Sequence, residues 1–304
     1  MSTLRVLMPP VACVEHDPGF RRWLAQGDRR PSIVNARGTT LRSLFHLHDA
    51  ELPAAALRHY CYDEDAAHGT WLCADPAWVQ TEATGARLMA WPIEDLCNDE
   101  ADALATALRP LFGDAGVPLV ADTPSTWCVQ LADGAPAANF TAPVDALGAA
   151  MLDCLPEGAA GRTWRRLFNE AQVALHAHPV NAARVAAGKH PVNALWFWGR
   201  GALPAVQTGL HVVASVDDVV RGLAKLGDAV RVEPLPETLD LAGGGGDALL
   251  DLDVPGQAQG TLPWLAHFQR WLRDRRFEAI ELMFAGGECF RVRHVHRLRM
   301  WRRA

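Results

Sequence analysis

The sequence predicts an α/β protein: a mixed central sheet flanked by helices and closed by a C-terminal β-hairpin. Three observations carry that reading. Short apolar runs bounded by turn residues alternate with segments of helical periodicity. The dipeptide Gly286-Gly287, of the kind tight hairpin turns favour, stands between strand-like runs at 278–285 and 288–300. The composition of the 304 residues, 49% hydrophobic and 21% charged, suits a chain with a real core.

Each element has its own signal. A first strand, 4–8, runs into Pro9-Pro10, and further strands are expected at 71–74, 87–91, 118–120 and 127–131. A helix over about 93–111 places Leu96, Ala103, Leu104, Ala107, Leu108 and Leu111 near one face, and Gly113 to Gly116 stop it. The turn-rich stretch 155–161 is the best linker, so the expectation is a single domain over 1–304 with a sub-boundary near 155–162, dividing 1–155 from 162–304. An amphipathic helix carrying Trp164, Leu167, Phe168, Ala171 and Leu175 follows, and a second begins at Pro179 and ends at Gly188. Then come a buried strand at 194–198, a strand at 211–215, a helix at 216–226, a glycine loop at 243–246, a strand at 249–254 and a helix at 264–276.

Several function classes fall away. No stretch reaches 18 consecutive apolar residues, so no transmembrane helix and no membrane role are expected. The N-terminus lacks a signal-peptide pattern, which makes the cytoplasm the expected location. The net charge of −6 argues against nucleic-acid binding. Seven scattered cysteines without a CxxC pair read as buried free thiols. Neither a phosphate-binding glycine motif nor a Gly-x-Ser-x-Gly elbow is present. His-x-His recurs at His46/His48, His176/His178 and His294/His296; the first, beside Asp49, is the best metal candidate of the three, but twelve histidines produce such pairs by chance and no metal ligand is assigned.

The polar residues gather in one stretch. His178, Asn181, Arg184, Asn193, Trp198, Gly199, Arg200 and Gly201 are the expected ligand-binding set around one concavity. Arg184 can bind a phosphate or carboxylate through two parallel hydrogen bonds, the asparagines can orient it, and the glycines let backbone N–H groups approach it. Helix capping, turn closure and core packing are the competing roles for the same residues. A second basic face is expected on the last strand, with Arg291, Arg293, Arg297 and Arg299 on one side. It is either a solvated edge or an anion-binding surface.

The run His178-Pro179-Val180-Asn181, Arg184, Gly188, Pro191-Val192-Asn193 and Trp196 to Gly201 resembles the bacterial RpfE-type regulatory protein family, many of whose members are labelled cofactor-independent phosphoglycerate mutase-like. Leu111 to Gly116, Leu155 to Gly158 and Leu298 to Arg303 also look like that family. A narrower segment, about 175–201, is similar to archaeal-type phosphoglycerate mutases. That resemblance implies an alkaline-phosphatase-like fold and an enzyme with two metal ions held by Asp and His. The sequence departs from the pattern. Pro9-Pro10-Val11-Ala12 follows the first strand where an Asp-Gly is expected, and no Asp-His pair comes after Gly201. Two-metal chemistry needs such ligands. The expectation is therefore a non-catalytic or degenerate relative, regulatory, with no cofactor and no assigned catalytic residue. It would bind a small phosphorylated or carboxylated ligand or an acidic protein partner. The alternatives are a metal-dependent mutase or phosphatase using a divalent metal, and an interaction protein without a ligand.

Overall fold

The computed structural model describes residues 2–48, 51–82, 85–132, 134–135, 138–241, 246–253 and 263–299. In chain order, the first segment forms β1 (Thr3–Met8), α1 (Pro18–Gln26), β2 (Asp28–Arg30) and α2 (Ala36–Leu44). The middle of the chain forms α3 (Ala54–Tyr60), β3 (Thr70–Glu82), β4 (Gly85–Ala90), α4 (Asn98–Asp114), β5 (Leu119–Ala121), β6 (Trp127–Leu131), α5 (Pro143–Ala146), α6 (Met151–Cys154), α7 (Gly158–His176), α8 (Pro179–Ala186) and β7 (Ala194–Gly201). The last third adds β8 (Leu210–Ala214), α9 (Asp218–Leu226), β9 (Val230–Val232), α10 (Pro236–Leu241), β10 (Asp247–Asp251), α11 (Trp264–Arg273), β11 (Ala279–Phe284) and β12 (Cys289–Arg293).

The α/β class and the mixed sheet with flanking helices are as the sequence predicts. The domain division differs. The chain forms two units, 1–50 with 205–304 and 51–204, each with its own sheet. The stretch 155–161 is no boundary; it joins α6 to α7 inside the second unit. The physical reason is range: β1 pairs Leu4 with Ala248 and Leu4 with Ile280, partners that no local window brings together.

The first unit holds a seven-stranded sheet in the order β2-β12-β11-β1-β10-β8-β9. Strand β1 lies between β10 and β11, parallel to both, and all its residues but Arg5 are buried. Burial on both faces is why it reads as an apolar run rather than an alternation. Helices α1 and α11 carry Phe20, Trp23, Trp264, Phe268 and Trp271 into this core, where the Trp23 and Phe268 rings stack at 5.8 Å. Asp17 starts α1 by accepting the Phe20 N–H at 2.6 Å, and Asp217 starts α9 by accepting that of Val219 at 2.7 Å.

The expected hairpin is β11 with β12, antiparallel from Ala279↔Arg293 to Met283↔Cys289. Two details differ. Strand β12 is not an edge, because β2 pairs with its other side. It also ends at Arg293, where 294–298 turn into a 3-10 helix as the Arg293 N–H donates to His296 Nδ1 at 3.3 Å.

The second unit is built on β3, thirteen residues long, which pairs antiparallel with β7, with β6 through Thr70–Cys73, and with β4 through Trp78–Glu82. Pro76 falls in the gap between the β6 and β4 ladders. Helices α4 and α7 bury Leu104, Leu108, Phe112, Trp164 and Phe168 in the same core as Phe197 of β7. The 243–245 part of the expected glycine loop and the 300–303 part of the family-like terminus lie outside the described residues.

The hairpin turn depends on its second glycine alone. Gly287 has φ +97°, and a Cβ there would stand 2.7 Å from the Ile33 carbonyl oxygen and 2.8 Å from Ser32 Oγ. A Cβ on Gly286 would meet only the end of the flexible Glu288 side chain. Gly287→Ala is expected to destabilise by about 2 kcal/mol, and Gly286→Ala by less than about 1 kcal/mol, measured by urea unfolding. Equal losses would show that the turn is not held in this conformation.

Candidate functional site

The residues expected to bind a ligand are, one by one, engaged in the second unit's own framework. His178 is the N-cap of α8, its Nδ1 accepting the Val180 N–H at 3.3 Å. Asn181 is buried; it donates to the carbonyls of Leu175 at 2.8 Å and Val192 at 2.7 Å, and accepts the Val192 N–H at 2.8 Å. Asn193 uses its side-chain amide as a strand partner, accepting from Val79 N at 2.8 Å and donating to Val79 O at 2.7 Å. Gly199 and Gly201 lie against the start of α3: a Cβ would come 2.7 Å from that of Ala54 and 2.3 Å from that of Pro53. Arg200 donates to the Ala135 carbonyl at 2.9 Å.

Arg184 is the decisive member. It is 1% exposed. Its Nε donates to the His190 carbonyl at 2.9 Å, Nη1 to Glu100 at 2.6 Å and Nη2 to Asp95 at 2.6 Å. The structure thus groups His178, Asn181 and Arg184 at α8 with Asn193 after it, but the partners of Arg184 are His190, Asp95 just before α4 and Glu100 in its first turn, not the Gly199–Gly201 turn. The hydrogen bond from Arg184 holds the Asp95 carboxyl below the usual carboxylate range. For Glu100 burial pushes up, yet the Cys97 N–H and Arg184 together bring it down.

Trp198 leads to a second network. Asp75, fully buried on β3, accepts from Arg58 at 2.7 Å, Trp198 Nε1 at 2.8 Å, Trp91 Nε1 at 3.0 Å and the Trp127 N–H at 3.1 Å. Arg58 also donates to Cys73 Sγ at 3.2 Å and to Thr126 Oγ1 at 3.2 Å, and its guanidinium lies 5.3 Å from the Trp198 ring centre. Burial pushes the Cys73 thiol up to about 12, so it stays protonated at neutral pH.

In the first unit, chemistry collects at the carboxyl ends of parallel strands, the usual ligand position in such sheets. Asp251 closes β10, and Ser215 and Asp217 follow β8. Arg37 of α2 spans them: it grips both oxygens of Asp251 at 2.7 and 2.9 Å, reaches Asp217 at 2.7 Å and donates to the Asp253 carbonyl at 3.0 Å. Ser215 Oγ donates to Asp251 at 2.8 Å. Burial raises the Asp253 carboxyl, partly offset by Arg37 and reinforced by Asp251 and Asp217. Carboxylates of this kind hold cations, and here the cation between them is a guanidinium.

The basic face of the C-terminal segment divides. Arg291 pairs with Glu281 at 3.5 Å, and Arg299 with Asp28 at 2.6 Å. The Arg299 hydrogen bond, against a burial effect, holds the Asp28 carboxyl low. Arg293, 3.3 Å from Asp28, and the exposed Arg297 line a cavity of about 270 Å³ with Arg273, His294, Gln26, Gln269 and the rim of Trp23. Arg297 belongs to the 3-10 helix, not to a strand face, and Arg273 of α11 joins the group only through tertiary packing. Sequence periodicity did not reveal this. Asp49, the neighbour of the His46/His48 pair, lies outside the described residues. Of the cysteines, Cys73, Cys128, Cys154 and Cys289 are buried, while Cys97 is exposed.

Removing Arg184 tests its structural role. Arg184→Met is expected to cost about 3 kcal/mol in urea unfolding at pH 7, the low end for breaking a buried pair because Asp95 is half exposed and screened. The carboxyls of Asp95 and Glu100 are depressed in the folded state, so their contribution is full above the unfolded carboxylate range and fades as pH falls through the lower folded values. The gap between wild type and variant should therefore narrow on acidification below about pH 4. A gap that is constant with pH would refute this assignment.

No family model matches the sequence, and no curated protein matches it. Among solved structures, the cofactor-independent phosphoglycerate mutase from Thermoplasma acidophilum DSM 1728 aligns over 96% of this chain and 89% of its own, with 14% identity and a TM-score of 0.44. The PH0037 protein from Pyrococcus horikoshii aligns over 96% of this chain and 87% of its own, with 10% identity and a TM-score of 0.51. No helix among the described residues is long and apolar enough to cross a membrane. The chain shares its fold with PH0037, and at that identity the likeness is one of fold.

Proposed function

We propose that the protein is a non-catalytic, regulatory relative of the phosphoglycerate-mutase-like fold, and that it binds a small phosphorylated or carboxylated anion in the cavity bounded by Arg273, Arg293 and Arg297. The observation that carries this reading is the convergence of three guanidinium groups and His294 on one concavity with Asp28 as the acid paired to Arg293. Guanidinium groups bind phosphate and carboxylate in a planar, two-point manner, and Gln26 and Gln269 add neutral donors around the rim.

The non-catalytic half rests on Arg37. At the strand ends where cation-dependent chemistry would be built, Asp217 and Asp251 already hold a guanidinium at 2.7 Å each. A permanently charged group there supplies no Lewis acid and no metal-bound nucleophile. Together with Pro9-Pro10-Val11-Ala12 after β1 and the missing Asp-His pair, this supports loss of the two-metal reaction in a chain that resembles such enzymes.

The test uses the full chain after chelator treatment. Inorganic phosphate and 3-phosphoglycerate are expected to raise Tm and to give a binding isotherm, since a ligand of the native state must stabilise it. Arg273→Ala with Arg297→Ala should weaken that binding about tenfold or more, the scale expected when charge-assisted hydrogen bonds are lost. Mutase and phosphatase assays with added manganese, cobalt or zinc should stay at background. Robust metal-dependent turnover would overturn the non-catalytic reading. Anion binding that survives the double substitution would move the site elsewhere.

A further inference from the structure

We propose that His59, Asp122 and Cys128 form a binding site for a zinc-like divalent cation in the second unit, one that depends on neither the anion cavity nor the Arg37 cluster. The three residues come from separate elements. His59 is in the last turn of α3, Asp122 is the first residue after β5, and Cys128 is the second residue of β6. One donor atom from each lies within 4.8 Å of the others. His59 Nδ1 is 2.8 Å from an Asp122 oxygen, and Cys128 Sγ is 4.0 Å from that same oxygen. The set is imidazole, carboxylate and thiol, which suits zinc or cobalt better than magnesium or calcium.

The site is built rather than incidental. The His59 ring is fixed against the Trp71 ring, centroid to centroid 4.2 Å. The His59 side chain is 2% exposed and that of Asp122 5%. The neighbouring charges are already matched, Arg58 with Asp75 at 2.7 Å, so they do not compensate Asp122. A carboxylate withdrawn from water favours a positively charged partner. A divalent cation would supply it: Cys128 gives its proton to solvent on binding, and the metal with thiolate, carboxylate and neutral imidazole carries no net charge. Three protein donors leave a fourth position for solvent.

Cobalt(II) titrated into the chelator-treated full chain is expected to bind at one equivalent, with tetrahedral visible bands and a thiolate-to-cobalt charge-transfer band. Zinc should displace it and raise Tm. Cys128→Ser should remove the charge-transfer band, and Asp122→Asn, which keeps the side-chain shape, should weaken cobalt about tenfold or more. His46→Ala with His48→Ala should change neither. The proposal is overturned if wild-type protein gives no sulfur charge-transfer band, a reading that needs no variant to fold. It is also overturned if the band persists in folded Cys128→Ser, or if it is lost with the His46 and His48 substitutions.

Discussion

The structure depends on matching its buried guanidinium groups with carboxylates from other elements. Three arginines do this. Arg37 ties α2 to the ends of β8 and β10, Arg58 ties α3 to β3, and Arg184 ties α8 to the start of α4. Each guanidinium is largely withdrawn from water, and each finds a carboxylate at 2.6 to 2.7 Å. Such pairs add little net stability over apolar residues of the same shape, but a structure that separates them leaves an uncompensated charge. They therefore act chiefly against wrong arrangements. Asp75 shows the extreme: with four donors around one carboxylate, β3 fits its neighbours in one register.

The same economy explains why the stretch from His178 to Gly201 looks like a ligand site. Asparagine, arginine and glycine are the residues that hold ligands, and they are also the residues that satisfy backbone where a chain turns. Asn181 closes the path from α7 through α8 to Val192, and Asn193 stands in for a missing strand neighbour at Val79. The glycines are required because α3 approaches β7 too closely for a Cβ. A run of such residues can thus record a way of packing one unit.

Charge left unmatched is what distinguishes the remaining candidates. Arg297 has no carboxylate partner among the described residues, and Arg273 has only its sequence neighbour Asp274, at 3.4 Å on the surface. These groups are available to an anion in a way that Arg37, Arg58 and Arg184 are not. Asp122 is the opposite case, a buried acid whose hydrogen-bond partner is an imidazole rather than a fixed cation. The two proposed sites are of opposite sign, one built from solvent-facing guanidinium groups and one around a buried carboxylate.

How much of this was legible depends on range. Local pattern sufficed for β1, β6, α7, α8 and the Gly286-Gly287 hairpin, because apolar periodicity, proline at a helix start and a left-handed glycine act within a few residues. Pattern also carried the α/β class. It could not divide the chain at 50 and 204, since the first unit's sheet is completed by strands that follow the whole second unit in sequence. Nor could it tell a ligand-binding arginine from a buried one: Arg184 and Arg297 differ in nothing but what tertiary packing places beside them. Side-chain type sets donor, acceptor and charge, so the residues able to bear chemistry can be read from the chain alone. Which of them serve the fold is set by packing, because a hydrogen bond or ion pair across 84 positions, as between Glu100 and Arg184, exists only once the chain has closed.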